Sequence, residues 1–287
     1  MALGGGDNVF SAGELFTLPK YIANNSQFTC GNVLSECELW SKVLADLKQA
    51  KTTILESGIT QPKESKRAKL LFLLRRIIGK TDSTPPRWVQ SNLEVYERLF
   101  WHSGAEIIID SSKNVARAAM LYPYLKKRYQ VKFLLLVRNC KGIVASHKKN
   151  HVLVKKPNGG QIEKKSRKVF TPRKAGANWL KNNLRALTFF LGIPKRNYRL
   201  IRFEDFTTKP AEELSLIAQW LGIKYQDISQ LIKFKTHKVY HNIGGNASRF
   251  NASEIRPTEE RWRSSLSPRE IREIPRTARV LNYVSIV

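Results

Sequence analysis

Apolar runs long enough to cross a membrane are missing from this sequence. Its compact apolar stretches, Ile107–Ile109, Phe133–Val137 and Leu187–Leu191, fall far short of the ~20 residues that a spanning helix needs. Cysteine is scarce, with three in 287 residues, which argues against a disulfide framework and for a reducing compartment. The start, Met1-Ala-Leu-Gly-Gly-Gly-Asp, has neither a basic segment nor an apolar core. No signal peptide is visible, and a cytoplasmic location is expected. The five histidines are scattered without metal-ligand spacing. Cys30 and Cys37 alone are too sparse for a tetrahedral metal site and read as packed or weakly paired cysteines. Acidic residues are few: 23 Asp and Glu stand against 50 Lys and Arg, a formal charge of +27. That balance favours an anionic partner, whether nucleic acid, acidic membrane surface, anionic small molecule or glycan, without choosing among them.

What is present is enough apolar material for a sizeable core, 42% of the residues, and one domain spanning 1–287 is the default. No internal repeat is found. Residues Asp7–Ser11 read as a short extended piece ending at Gly13-Glu14. Helical periodicity follows over about Leu39–Glu56, Glu64–Ile78 and Pro86–His102, the last preceded by Asp82-Ser-Thr-Pro-Pro as a start signal. Leu93, Tyr96, Leu99 and Phe100 fall on one face of that third helix. Beyond it, short β-branched and Leu-rich runs alternate with helices. Strand Ile107–Asp110 leads to a helix over about Lys113–Lys127, strand Lys132–Val137 to one over Asn139–Asn150, and strand Tyr198–Arg202 to one over Asp205–Leu221. This alternation predicts an α/β fold with a mostly parallel sheet covered on both faces, its ligands at the carboxyl ends of the strands. Asp110–Lys113, Arg138 and Glu204-Asp205 all lie at such ends.

Between the second and third of these strands runs a basic stretch, Lys148–Lys174, whose core is 151–174. It holds ten Lys or Arg against the single acid Glu163. A solvated surface loop and a cationic rim for a polyanionic donor or acceptor both fit it.

Arg138 closes the strand Phe133-Leu-Leu-Leu-Val, where its guanidinium can reach into the crevice. Asn139 can cap the helix that starts there, and Ser146, seven residues on, returns close to the same face after two turns. A guanidinium, a hydroxyl and a helix start together suit a phosphate. This strand–Arg–seven residues–Ser pattern resembles the 3′-phosphate motif of sulfotransferases that use 3′-phosphoadenosine 5′-phosphosulfate (PAPS). Tyr198-Arg-Leu-Ile-Arg-Phe-Glu204-Asp205, with Pro210 and Trp220-Leu-Gly-Ile after it, is similar to that family's scaffolding segment at the sheet's ligand edge. His241-Asn-Ile-Gly-Gly-Asn246-Ala-Ser-Arg249, with Trp262-Arg263 downstream, resembles its late donor loop. Ile107-Ile-Ile-Asp110-Ser-Ser-Lys113 resembles the bacterial and carbohydrate-type branch, and Gly13-Glu14 resembles the "GE" element of tyrosylprotein and related members.

The resemblance runs from Phe10 to about Leu266 and implies a P-loop-like three-layer sandwich. It implies Glu14 as the base that takes the acceptor's proton and Lys113 as the cation on the leaving oxygen. Arg138, Ser146, Arg249, Gly245 and Asn246 are the implied donor contacts, with no metal required. PAPS is the implied co-substrate. The acceptor is a hydroxyl or amine that these residues do not specify, carbohydrate being among the candidates.

One family element is not found: a first strand followed by a "P-[KR]-[SA]-G-[ST]-T"-like loop for the 5′-phosphosulfate. Gly4-Gly-Gly is not that loop, since no strand precedes it and no Lys/Arg-Ser-Gly-Thr follows. The chain as written is therefore expected to be either N-terminally truncated, its true start lying upstream, or a decayed copy, with a gap in its sheet and negligible transfer activity. Two other classes remain to be weighed. A P-loop nucleotide kinase relative would need a Mg²⁺-holding acid, for which Asp110 is the passable candidate. A non-catalytic polyanion or nucleic-acid binder would draw on charge alone, although no base-reading motif is present.

Overall fold

Trp40, Val43, Leu44 and Leu47 recur at the i, i+3, i+4, i+7 spacing of an amphipathic helix, and all four are buried. Each such side chain contributes about 1.5–3 kcal/mol on burial, so the stripe pins its helix to the core despite a polar opposite face. The computed structural model describes residues 2–50, 84–148, 151–155, 162–166, 169–233, 238–244, 254–255 and 262–280. The expected helix over Glu64–Ile78 lies outside them, as do Gly245, Asn246 and Arg249. The chain divides into two compact units, one of Met1–Val131, Lys155–Gln161 and Ser215–Glu254, the other of Lys132–Val154, Ile162–Leu214 and Ile255–Val287.

In the first unit a 3-10 turn, Ala2–Gly5, leads into β1 (Val9–Gly13), α1 (Leu18–Ala23), α2 (Glu38–Gln49), α3 (Arg87–Ser103), β2 (Ile107–Asp110) and α4 (Val115–Leu125). Strands β1 and β2 pair in parallel, Val9 with Ile107 through Gly13 with Asp110, and the register slips between Ser11 and Gly13. Helices α2 and α3 supply much of the core: Trp40, Val43, Leu47, Trp88, Leu93, Tyr96 and Leu99 cluster with Phe10, Ala12, Leu15 and Ile243. Leu93, Tyr96 and Leu99 thus share the buried face expected for them, while Phe100 stacks on Tyr129 at 5.2 Å. The glycines at 4 to 6 are buried against Ser11, Tyr240, Gln230 and Ile223, a packing point rather than a loop open to a ligand.

The second unit holds β3 (Phe133–Val137), α5 (Cys140–Lys148), β4 (His151–Lys155), β5 (Ile162–Ser166), α6 (Pro172–Phe190), β6 (Tyr198–Arg202) and α7 (Phe203–Thr208). Strands β3 and β6 are parallel and in continuous register, Phe133 opposite Tyr198 and Val137 opposite Arg202. Helices α5 and α6 pack through Cys140, Val144, Ala175 and Trp179, joined by Leu266, Ile274 and Ala278 from the late helices.

Two expectations need correction. The helix expected over Asp205–Leu221 is two, α7 and α8 (Pro210–Leu221), because Pro210 lacks an N–H and disfavours helical backbone at Lys209, which sits at φ −125°, ψ 59°. The basic stretch is not a plain loop: β4 and β5 pair within it as a two-stranded sheet. The described strands form three pairs, of which β1–β2 and β3–β6 are parallel as the alternation predicts, and alternate residues of β3 are part-exposed, Leu134 at 37% and Leu136 at 44%. Among the described residues no helix is long and apolar enough to cross a membrane.

Candidate functional site

Strand β1 ends in Gly13 at φ +77°, where a Cβ would stand 2.2 Å from the Ile243 carbonyl oxygen, so glycine alone fits. The close approach is a parallel bridge between Gly13 and Ile243. Around it the Ile243 N–H donates to the Ala12 carbonyl at 3.0 Å, and the Glu14 N–H donates to the Ile243 carbonyl at 2.6 Å. Strand β2 ends beside the same turn. The Ser111 N–H donates to the Gly13 carbonyl at 2.7 Å, and the Phe16 N–H donates to Ser112 Oγ at 2.9 Å. The loop after β2 is thereby latched to the loop after β1.

Lys113 Nζ donates to Glu14 Oε1 at 2.7 Å across this latch. The Lys113 backbone is left-handed, φ +54°, a conformation that costs a residue with a side chain about 1–2 kcal/mol. Its side chain is 74% exposed against 22% for Glu14. So open an ion pair is worth at most about 1 kcal/mol of stability, less than the backbone cost. What the arrangement supplies is placement, a carboxylate and an ammonium held together. Gly244 presses on it from the third side, where a Cβ would meet that of Glu14 at 2.7 Å.

Beneath the pair, Asp110 is fully engaged. Its Oδ2 accepts from Arg117 Nη1 and Tyr96 OH, each at 2.6 Å, and its Oδ1 accepts from the Ser112 N–H at 2.9 Å and from the Ser112 hydroxyl. Arg117 Nη2 also donates to Asn92 Oδ1 at 2.6 Å, behind the sheet. Burial raises the Asp110 pKa, but the Arg117 charge and the three donors outweigh it and hold the carboxyl below its ordinary value. Burial foremost pushes the Tyr96 phenol up. Both Asp110 oxygens are thus committed to the protein, which removes the acid that a Mg²⁺-dependent kinase would need at this strand end.

In the second unit Arg138 follows β3 directly. Its carbonyl accepts from Trp179 Nε1 at 2.8 Å, while its guanidinium carbon lies 4.9 Å from the Phe203 ring centroid. The Asn139 side chain accepts from the Lys141 N–H at 2.9 Å, as expected of a capping residue at the start of α5. The Asn139 N–H donates to Glu204 Oε1 at 2.9 Å, so the acid after β6 braces the turn after β3. Ser146 lies two turns along α5 and is half-buried. Lys141 Nζ sits 4.4 Å over the Trp262 ring, which brings the downstream Trp-Arg pair to the same helix.

One cluster escaped the sequence reading. Cys30, Cys37 and His241 come together with their ligand atoms within 4.8 Å of one another. The S–H of Cys37 holds the Cys30 thiol well below its ordinary value, with burial opposing and His241 assisting. The same contact and burial push Cys37 up. The signal was the pair Cys30 and Cys37; the histidine 204 residues away was invisible as its partner.

Two solved structures resemble the chain at low identity. One, a sulfotransferase domain from the Synechococcus PCC 7002 olefin synthase, is 14% identical with a TM-score of 0.44, covering 96% of this chain and 94% of that one. The other, a sulfotransferase domain from the curacin biosynthetic pathway, is 14% identical with a TM-score of 0.40, covering 92% and 95%. A search of curated proteins finds no match. The sulfotransferase domain, by contrast, matches residues 110–276, from Asp110 through Lys113, Arg138, Ser146 and Glu204 to the last helices. With more than half its length so matched, the chain belongs to the sulfotransferase family.

Proposed function

We propose that the chain transfers a sulfuryl group from PAPS to a hydroxyl or amine acceptor, with Glu14 as the general base. The observation that carries this reading is the Glu14–Lys113 contact of 2.7 Å on two backbone-latched loops. A base and a cation fixed side by side suit an in-line displacement at sulfur. The acceptor oxygen forms the new S–O bond as its proton passes to Glu14. The S–O bond to the phosphate oxygen breaks, and 3′-phosphoadenosine 5′-phosphate leaves with the electron pair, its growing charge met by Lys113.

Donor binding is assigned to Arg138 and Ser146, on the 3′-phosphate, and to Gly245, Asn246 and Arg249. Support for the first two is the strand-end guanidinium, the Asn139-capped start of α5 and the brace from Glu204. The latter three follow Gly244, which packs on Glu14. Carbohydrate is the first acceptor class to try, and the basic stretch with its β4–β5 pair is assigned as a cationic rim for anionic substrates.

The test follows labelled sulfate from PAPS onto a panel of hydroxyl and amine acceptors, beside calorimetry with 3′-phosphoadenosine 5′-phosphate. Glu14→Gln should keep nucleotide affinity while turnover falls about 10²–10⁴-fold, the usual loss of a general base. A near-full rate in Glu14→Gln would move the base elsewhere. Absence of any binding of 3′-phosphoadenosine 5′-phosphate to the wild type would overturn the reading altogether.

A further inference from the structure

Cys30 lies in a tight turn, where the Phe28 N–H donates to the Asn32 carbonyl at 2.9 Å and the Gly31 N–H to the Phe28 carbonyl at 3.1 Å. Cys37 is fully buried at the residue before α2, and His241 comes from the segment that runs to Ile243. Cys30 Sγ and Cys37 Sγ are 3.9 Å apart, and Cys37 Sγ is 3.2 Å from His241 Nδ1. A disulfide requires about 2.05 Å between sulfurs, and both cysteines are free thiols. Around a tetrahedral Zn²⁺, by contrast, Zn–S bonds of about 2.3 Å place two sulfurs about 3.8 Å apart. With a Zn–N bond of about 2.0–2.1 Å, sulfur and imidazole nitrogen stand about 3.5 Å apart. These two separations lie within a few tenths of an ångström of that frame, and the third, from Cys30 to His241, is within 4.8 Å.

The surroundings hold the two segments in this relation. The Thr29 hydroxyl donates to the Tyr240 carbonyl at 2.7 Å and accepts from the Asn242 N–H at 2.8 Å. Trp40 Nε1 donates to the His241 carbonyl at 2.7 Å, so the residues flanking each ligand are fixed by bonds that do not involve the ligand atoms. Such outer support is what presents ligands to a metal. Three thiolate and imidazole donors are the set that borderline-soft Zn²⁺ takes.

We propose that Cys30, Cys37 and His241 form a Zn²⁺ site, with water in the fourth position of the tetrahedron. The bound ion ties the Cys30–Cys37 segment to the strand-like segment ending at Ile243, whose backbone pairs with Ala12, Gly13 and Glu14. Its role is to position that segment, and the sulfuryl-transfer step does not pass through it.

The experiment uses the full chain, prepared reduced and without chelators. Zinc content is measured first, then the metal-stripped protein is titrated with Co²⁺ and read for the sulfur-to-cobalt charge-transfer band and the visible bands of a tetrahedral ion. One zinc per chain, and both band sets at one equivalent, are expected. Cys30→Ser, Cys37→Ser and His241→Ala should each lose them, while Cys140→Ser, in the other unit, should keep them. The spectrum of the unsubstituted chain decides the matter even if a variant fails to fold. Wild-type protein that takes up no Zn²⁺ and gives no charge-transfer band, or whose Cys30 and Cys37 are isolated as a disulfide under anaerobic conditions, would overturn the site. Neither readout depends on PAPS or on turnover.

Discussion

Arg117 Nη1 meets Asp110 Oδ2 at 2.6 Å with both side chains withdrawn from solvent, at 4% and 15% exposure. The pair sits where β2 ends and fixes the loop that carries Lys113.

Removing one charge from such a buried pair strands the other, which costs about 3–5 kcal/mol. Asp110→Asn should therefore lower the urea midpoint strongly. It should also alter the acid limb of the stability curve. Because the Asp110 pKa is lowered on folding, its contribution is complete above the unfolded carboxyl pKa and fades as pH falls through the folded one. Wild type should lose stability over that acidic range, and Asp110→Asn should show a shallower slope there. Parallel slopes in urea titrations at stepped pH would count against the assignment.

Arg138→Ala is expected to weaken 3′-phosphoadenosine 5′-phosphate by about ten- to a hundred-fold, one charge-assisted bond of about 1.5–3 kcal/mol being lost. Ser146→Ala should cost less, since a neutral hydroxyl is withdrawn. Calorimetry that finds the same affinity in Arg138→Ala would remove the strand-end anion site. Circular dichroism checks that α5 survives.

Gly13→Ala tests the turn that carries Glu14, the proposed base. A methyl at φ +77° would collide with the Ile243 carbonyl, so a loss of about 2–4 kcal/mol is expected in chemical unfolding. A change below about 0.5 kcal/mol would mean that Ile243 yields easily and does not hold Glu14 in place.

Much of this architecture was legible because the decisive segments are short and chemically extreme. Ile107–Asp110, Lys132–Val137 and Tyr198–Arg202 read as strands from short runs rich in β-branched residues and leucine, and the strands found there all pair in parallel. Asn139 was legible as a cap from its position alone. What failed had a weak local signal. The break at Lys209 was hidden by the strong helix formers Ala211-Glu-Glu-Leu that follow Pro210, and the β4–β5 pair by the density of lysine around it. Glu14 and Lys113 were identified one at a time from resemblance; their contact depends on a register between strands 98 residues apart, which no local pattern encodes. The same holds for His241 beside the two cysteines.

The closure of that register has a cost in time. Asn242 Nδ2 bonds Ser11 Oγ across 231 residues, and Lys238 Nζ bonds the Val9 carbonyl across 229. Contacts of such high contact order form late, since the loop entropy comes before the reward. At ribosomal speeds of about 5–20 residues per second, β1 waits on the order of ten seconds or more for Ile243 to be made. Until β2 is made, Val9, Phe10 and Ala12 are an unpaired apolar strand on a nascent chain, and the bridge of Gly13 to Ile243 stays open for the rest of that interval. The same long tether that sets the turn at Glu14 thus makes that turn one of the last parts of its unit to close.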